Sequence, residues 1–141
     1  MPLGNLTSQL LVNIYMNEFD QFIKHKIKAT HYIRYADDFV ILSHDRTHLE
    51  SLVSCISGFL GQTLKLSLHP NKVYIKTLAS GIDFLGWVHF SDYRVLRTAT
   101  KKRMMKHMGE SPKPEAIASY IGMLSHGNTY KLQSVLKSFH T

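Results

Sequence analysis

The sequence predicts an α+β fold, with antiparallel strands carrying helices on one face and a small helical module after them. Three observations predict it. Apolar residues recur at spacings of three and four over residues 6 to 26 and again over 47 to 60. Aromatic and β-branched runs at 31 to 43 and 82 to 90 are interrupted by turn residues. After residue 97 the composition shifts to basic and polar, with Pro112 and Pro114, before helical periodicity returns at residue 115.

In chain order, the first helix is expected over 6 to 26 through Leu10, Leu11, Ile14, Tyr15, Phe19, Phe22 and Ile23, capped by Asn5 or Thr7. A hairpin follows, pairing His31-Tyr32-Ile33-Arg34-Tyr35 with Phe39-Val40-Ile41-Leu42 across a tight turn at Ala36-Asp37. Thr47-x-x-Glu50 fits a capping box and opens a second helix, with Leu49, Leu52, Val53, Ile56, Phe59 and Leu60 on one side and Gly61 as its stop. Leu64-Lys65-Leu66-Ser67-Leu68 alternates as a half-buried strand, His69-Pro70-Asn71 is a turn, and Val73-Tyr74-Ile75 reads as a short strand. Gly81 precedes a second hairpin-like region, Ile82 to Phe90, with Ser91-Asp92 as its turn. Residues 98 to 114 read as a linker or the start of another subdomain. A helix over 115 to 125 and a last one through Leu132, Val135, Leu136 and Phe139 complete the chain, separated by Gly127-Asn128.

The chain has 141 residues, with 44% apolar and 19% charged, a globular rather than a disordered composition. No apolar run is long enough to span a bilayer, and the N-terminus lacks the order of a secretory signal. Cys55, the single cysteine, lies in an apolar-periodic stretch and reads as a buried thiol of a reducing, cytoplasmic compartment. The formal charge is +7, which suits a polyanionic partner but equally a basic soluble surface. The basic residues cluster at Lys24, Lys26 and Lys28 and at Lys101, Lys102, Arg103, Lys106 and His107.

Asp37-Asp38 is the sharpest chemical feature. Two adjacent carboxylates repel one another at a strand turn and cost stability unless a cation joins them. Mg²⁺, with Mn²⁺ as its substitute, takes hard oxygen ligands, commonly one or two carboxylates plus phosphates and water. Two such ions about 4 Å apart can support in-line phosphoryl transfer. The plain alternative is a favourable turn dipeptide. His44-x-x-x-His48 has metal-ligand spacing but no third ligand, and both histidines are expected at the surface. Met104, Met105 and Met108 are read as packing residues.

Further motifs surround the pair. Tyr35-Ala36-Asp37-Asp38 resembles the Tyr-x-Asp-Asp box of reverse transcriptases. Pro2-Leu3-Gly4-Asn5-Leu6-Thr7-Ser8-Gln9, with Asn13, resembles the segment that opens the palm helix beneath the incoming nucleotide. Leu68-His69-Pro70-Asn71-Lys72 resembles the lysine-bearing segment of that family, and Phe84-Leu85-Gly86-Trp87 its primer-grip hairpin. The order and spacing of four motifs make the resemblance specific, and it covers nearly the whole chain, weakly after residue 100. Gly4 to Gln9, Gly81 to Gly86 and Ser119 to Asn128 are most similar to diversity-generating retroelement and group II intron-like bacterial enzymes.

The resemblance implies a partial palm over 1–97 and the start of a helical thumb over 98–141. It implies RNA-templated DNA synthesis, with Asp37 and Asp38 as Mg²⁺ ligands and an RNA template, a DNA primer and deoxynucleoside triphosphates as partners. Leu3, Gly4, Gln9, Asn13 and Tyr35 would line the nucleotide, Tyr35 packing beside the primer terminus. Leu3 stands where accurate members of the family carry Gln, which implies relaxed copying at template adenines. A side chain that cannot hydrogen-bond there braces the nucleotide less. Lys72 would neutralise or protonate the leaving pyrophosphate, or is a solvated turn lysine. Phe84, Gly86 and Trp87 would grip the primer, with core packing as the alternative for the aromatic pair and the favoured reading for Phe84. Lys101, Lys102, Arg103 and Lys106 would touch template or primer phosphates, or form a solvated face.

The family's third metal carboxylate comes from a strand before the Gly4 segment, and neither Asp20 nor Asp83 is an obvious substitute. The expectation is a chain inactive alone, covering exposed palm surface by self-association or a missing N-terminal segment, with an accessory protein as a further partner. The rival from another class is a non-catalytic nucleic-acid-binding or assembly fragment. An unrelated metal-dependent phosphotransferase would need the four motifs to coincide by accident.

Overall fold

The computed structural model describes residues 6–110 and 113–137. The chain divides into two compact units, one ending at Ile75 and one beginning at Lys76, each with its own core. The architecture is α+β, with two separate antiparallel sheets among the described residues in place of one continuous sheet.

In the first unit, helices α1 (Leu6–Tyr15) and α2 (Asn17–Gln21) meet at Met16, and α2 widens into a π-helical turn at Phe22–Ile27. The helical span therefore holds through residue 27, broken once and loosened at its end, but Leu10, Leu11, Ile14 and Tyr15 of the expected apolar stripe stand exposed. Its buried residues, Met16, Phe19 and Ile23, keep the three- and four-residue rhythm, and Phe19 and Ile23 are wholly buried. Lys28 closes the turn in the left-handed region, at φ 59°.

Strands β1 (His31–Tyr35) and β2 (Asp38–Leu42) pair in the expected register, Tyr32 opposite Ile41 and Tyr35 opposite Asp38. Alternation sends Tyr32, Arg34, Phe39 and Ile41 inward and Ile33, Tyr35 and Leu42 outward. Phe19 forms the floor beneath the hairpin, its ring 4.9 Å from that of Phe39 and 6.2 Å from Tyr32.

Helix α3 (Arg46–Phe59) adds Leu52 and Ile56 to the same core, and Phe59 stacks on Phe22 at 4.0 Å. Its cap is Asp45, whose carboxylate accepts from the His48 amide at 3.2 Å, so the helix starts ahead of the expected Thr47 box. Gly61 does not stop it. The helix continues as a π-helical turn, Leu60–Leu64, because Leu60 and Leu64 both bury there, and Lys65 ends it at φ 52°. That ending removes the strand expected at 64–68, and 73–75 forms no ladder either. Cys55 is exposed rather than buried, since the core-facing stripe of α3 runs through Leu52, Ile56 and Leu60 and leaves position 55 on its flank. His44 and His48 lie at the surface, as expected.

In the second unit, strands β3 (Ile82–Phe84), β4 (Trp87–His89) and β5 (Arg94–Leu96) form a meander. It turns at Leu85-Gly86, both at positive φ, and again at Ser91-Asp92. The stretch expected as a linker or the start of another subdomain is helix α4 (Thr98–Gly109): Met104 and Met108, one helical turn apart, bury on one face and turn the basic residues outward. Helices α5 (Pro114–Leu124), with proline in its first turn, and α6 (Tyr130–Lys137) follow. Trp87, Leu96, Met104, Met108, Ile117 and Leu124 share one core, so the hairpin at 82–89 packs with the helices beyond residue 98. Thr129, buried between α5 and α6, donates its hydroxyl to the Leu124 carbonyl. Among the described residues, no helix is long and apolar enough to cross a membrane.

Candidate active site

The β1–β2 turn lifts two carboxylates to the tip of the hairpin. Asp37 lies in the turn and Asp38 opens β2 opposite Tyr35, and both side chains are exposed. Ala36, just before them, sits at φ 53°, a left-handed conformation costly for a residue with a Cβ. Tyr35 projects from the outward face of β1, 54% exposed, and Gln9 of α1 donates to its hydroxyl at 3.5 Å. Asn13, one turn further along α1, accepts from Arg34 at 3.2 Å. The structure thus brings Gln9 to Tyr35 and Asn13 to Arg34, on the strand that leads into Asp37 and Asp38. Leu3 and Gly4 lie outside the described residues. Lys72 closes a short 3-10 turn, Pro70–Lys72, and is exposed.

Beneath the tip lies a polar group outside the sequence motifs. Arg34 points inward, its side chain only 9% exposed, and grips Asp20 with two nitrogens, Nε at 2.8 Å and Nη2 at 2.6 Å. Tyr32 donates its hydroxyl to the same carboxylate at 2.7 Å. The remaining guanidinium nitrogen, Nη1, donates to the Ala36 carbonyl at 2.7 Å. The signal was present in the alternation of β1: an arginine on the inward face needs a carboxylate partner. Hydrogen bonding from Arg34 holds the Asp20 carboxyl below the usual carboxylate range, and the Asp20 bond holds the Arg34 guanidinium above its ordinary value. Burial, then the bond to Asp20, pushes the Tyr32 hydroxyl well above that of an ordinary tyrosine.

The donor chemistry at the tip fits a hard divalent cation in part. Asp37 and Asp38 offer carboxylate oxygens that a Mg²⁺ ion can share with phosphates and water. Among the described residues, no three His, Cys, Asp or Glu side chains come together as a metal cluster. The two other aspartates considered in the sequence are engaged elsewhere, Asp20 by Arg34 and Asp83 by Arg97.

In the second unit, Phe84 pairs with Trp87 across the tight turn, and the Gly86 carbonyl accepts from the Arg97 amide at 2.9 Å. Trp87 is 8% exposed and belongs to the core, with the Arg94 guanidinium 5.2 Å above its ring. Phe84 and Gly86 are half-buried. Lys101, Lys102, Arg103 and Lys106 all stand exposed on α4, and Lys106 reaches Glu110 one turn on at 4.0 Å.

Two comparisons with known proteins bear on this arrangement. The family model described as reverse transcriptase (RNA-dependent DNA polymerase) matches residues 1–89, a span that includes α1, the Asp37-Asp38 hairpin and β3–β4. Protein YkfC of Escherichia coli (strain K12) is 27% identical over 148 residues, covering 82% of this chain and 37% of its own length. The chain therefore spans well under half of that relative.

Proposed function

The chain belongs to the reverse transcriptase family, and on that premise we propose that its hairpin tip takes part in RNA-templated DNA synthesis as the two-carboxylate portion of a metal-supported nucleotidyl-transfer site. The observation that carries the reading is Asp37-Asp38 at the hairpin tip, with Gln9 bonded to Tyr35 and Asn13 to Arg34 on the strand that leads into it. Asp37 and Asp38 would hold Mg²⁺, or Mn²⁺ in its place, which supplies charge neutralisation at the transferring phosphoryl group. The third carboxylate of that site comes, on this reading, from outside the described residues.

The chain's own groups then have separate tasks. Tyr35 offers its ring on the outward face of β1, where a primer end can stack. Gln9 and Asn13, with Leu3 and Gly4 ahead of them, line the nucleotide, and Leu3 in place of a hydrogen-bonding side chain relaxes discrimination at template adenines. Lys72 neutralises the departing pyrophosphate or gives it a proton. Phe84 and Gly86 meet the primer strand, and Trp87 supports that turn from the core beneath it. Lys101, Lys102, Arg103 and Lys106 contact template or primer phosphates. Residues 1–97 act as palm and 98–141 as the beginning of a thumb.

Leu10, Leu11, Ile14 and Tyr15 on α1 are 49–62% exposed, an apolar strip suited to a second copy, an accessory protein or the segment that completes the palm. Primer extension on an RNA template with Mg²⁺ tests the proposal. The chain is assayed alone and with a separately supplied N-terminal palm segment. Extension that needs the segment supports the reading. Primer–template binding without extension in either condition supports the rival, a nucleic-acid-binding or assembly piece, and overturns it.

A further inference from the structure

The turn that carries Asp37 and Asp38 is built on a residue that resists its own conformation. Ala36 at φ 53° lies in the left-handed region, which is costly for a residue with a Cβ. Such a conformation persists only where its surroundings over-determine it. Here the strand pairing on either side of the turn is joined by one side chain. Arg34 Nη1 donates to the Ala36 carbonyl at 2.7 Å and to Asn13 Oδ1 at 3.2 Å, while Nε and Nη2 clasp the Asp20 carboxylate. Tyr32 completes the Asp20 end at 2.7 Å. Both anchors lie on the helical layer, Asn13 in α1 and Asp20 in α2, so the turn is tied to the helices and not only to its own strands.

We propose that Arg34, anchored by Asp20 and Asn13, is a positioning residue that holds the Ala36 turn in its left-handed form and so fixes the direction of the Asp37 and Asp38 carboxylates. The proposal rests on the assignment of those carboxylates to a metal-supported site. Only a guanidinium can perform the task. A planar fork serves the carboxylate with one edge and two neutral oxygens with its remaining nitrogen, whereas an ammonium is a single point that cannot span all three. Arg34 is thus not interchangeable with lysine, although charge and reach are similar. Ala36 joins the same device: glycine there would adopt the left-handed form without the clamp.

The test uses this chain in three forms: native, Arg34→Lys, and Arg34→Lys with Ala36→Gly. Backbone φ at residue 36 is read by NMR scalar couplings, and Mn²⁺ affinity by paramagnetic broadening of the Asp37 and Asp38 amides. In Arg34→Lys, residue 36 should leave the left-handed region and Mn²⁺ affinity should fall about tenfold or more, as when support behind a metal ligand is removed. Adding Ala36→Gly should restore the left-handed form and recover most of the affinity. If Arg34→Lys leaves both φ and Mn²⁺ affinity as they were, or if a restored left-handed turn recovers no affinity, the positioning role is wrong. Should Arg34→Lys fail to fold, Asp20→Asn, which removes one charge from the anchor, is read in the same two ways. Absence of Mn²⁺ broadening in the native chain would count against the metal-site reading instead, and the φ measurement would still decide whether Arg34 holds the turn.

Discussion

Gly127→Ala should destabilise the second unit, although the same exchange elsewhere usually stabilises. Where backbone geometry permits, replacing glycine by alanine gains about 0.4–1 kcal/mol by restricting the unfolded chain. Gly127 is not among the positive-φ glycines, so its backbone would accept alanine. Space would not. A Cβ there would lie 2.1 Å from Trp87 Cζ3 and 2.7 Å from Cη2, against an ordinary carbon–carbon contact of about 3.5–4.0 Å. The indole would have to retreat by more than an ångström. It is only 8% exposed, packed among Leu96, Met104 and Met108, with Arg94 above its ring. Overpacking of this kind costs about 1–3 kcal/mol, which outweighs the chain-entropy gain and lowers the melting temperature by several degrees in a unit of this size. Trp87 is the only tryptophan, so its fluorescence during thermal unfolding reports this unit alone. In a Trp87→Leu background the added cost of Gly127→Ala should shrink, a coupling measured by circular dichroism. A melting temperature unchanged or raised in the single variant would refute the steric argument.

Four further outcomes are expected. Phe19→Ala removes the ring under the hairpin and should cost about 3–5 kcal/mol in urea unfolding of the first unit, whereas Phe19→Leu should cost far less. Asp45→Ala should lower stability by about 0.5–2 kcal/mol through loss of the α3 cap, and Thr47→Ala should be nearly neutral; the reverse ranking would restore the capping box. Because the folded Asp20 carboxyl is depressed, its contribution is present above the unfolded value of 3.8 and is lost as pH falls through the lower folded value. Asp20→Asn should therefore flatten the acid arm of the stability profile. Tyr32 has the opposite sign: its contribution is present below the ordinary tyrosine value of 10.0 and is lost as pH rises past it. Tyr32→Phe should flatten the alkaline arm.

Local signals carried most of the fold. The β1–β2 hairpin and its turn were legible because alternation and a two-residue turn fix register without help from distant residues. The α3 start was misplaced by one turn's worth of choice, since Asp45 and Thr47 are both good caps and only packing decides between them. Gly61 was misread because burial of Leu64 outweighs a glycine's preference for ending a helix. Lysines 101, 102 and 106 with Arg103 concealed α4, whose helical character lies in Met104 and Met108, too few apolar positions to outvote the basic ones in sequence. Gln9, Asn13 and Tyr35 belong to the sequence motifs, and the structure adds that Gln9 bonds Tyr35 while Asn13 bonds its strand neighbour Arg34. The Asp20–Arg34–Tyr32 group is only half legible: the inward arginine shows in the alternation of β1, but its partner Asp20 lies on another element and meets it only when α2 packs on β1.

Asp37 and Asp38 are proposed to support nucleotidyl transfer. Asp38→Asn keeps size and turn geometry while removing one charge from an exposed position, so folding should be untouched. Mg²⁺-dependent extension of a DNA primer on an RNA template should proceed with native chain and supplied N-terminal palm segment, and should be lost with Asp38→Asn under the same conditions. Extension at the native rate by the Asp38→Asn chain would contradict the account.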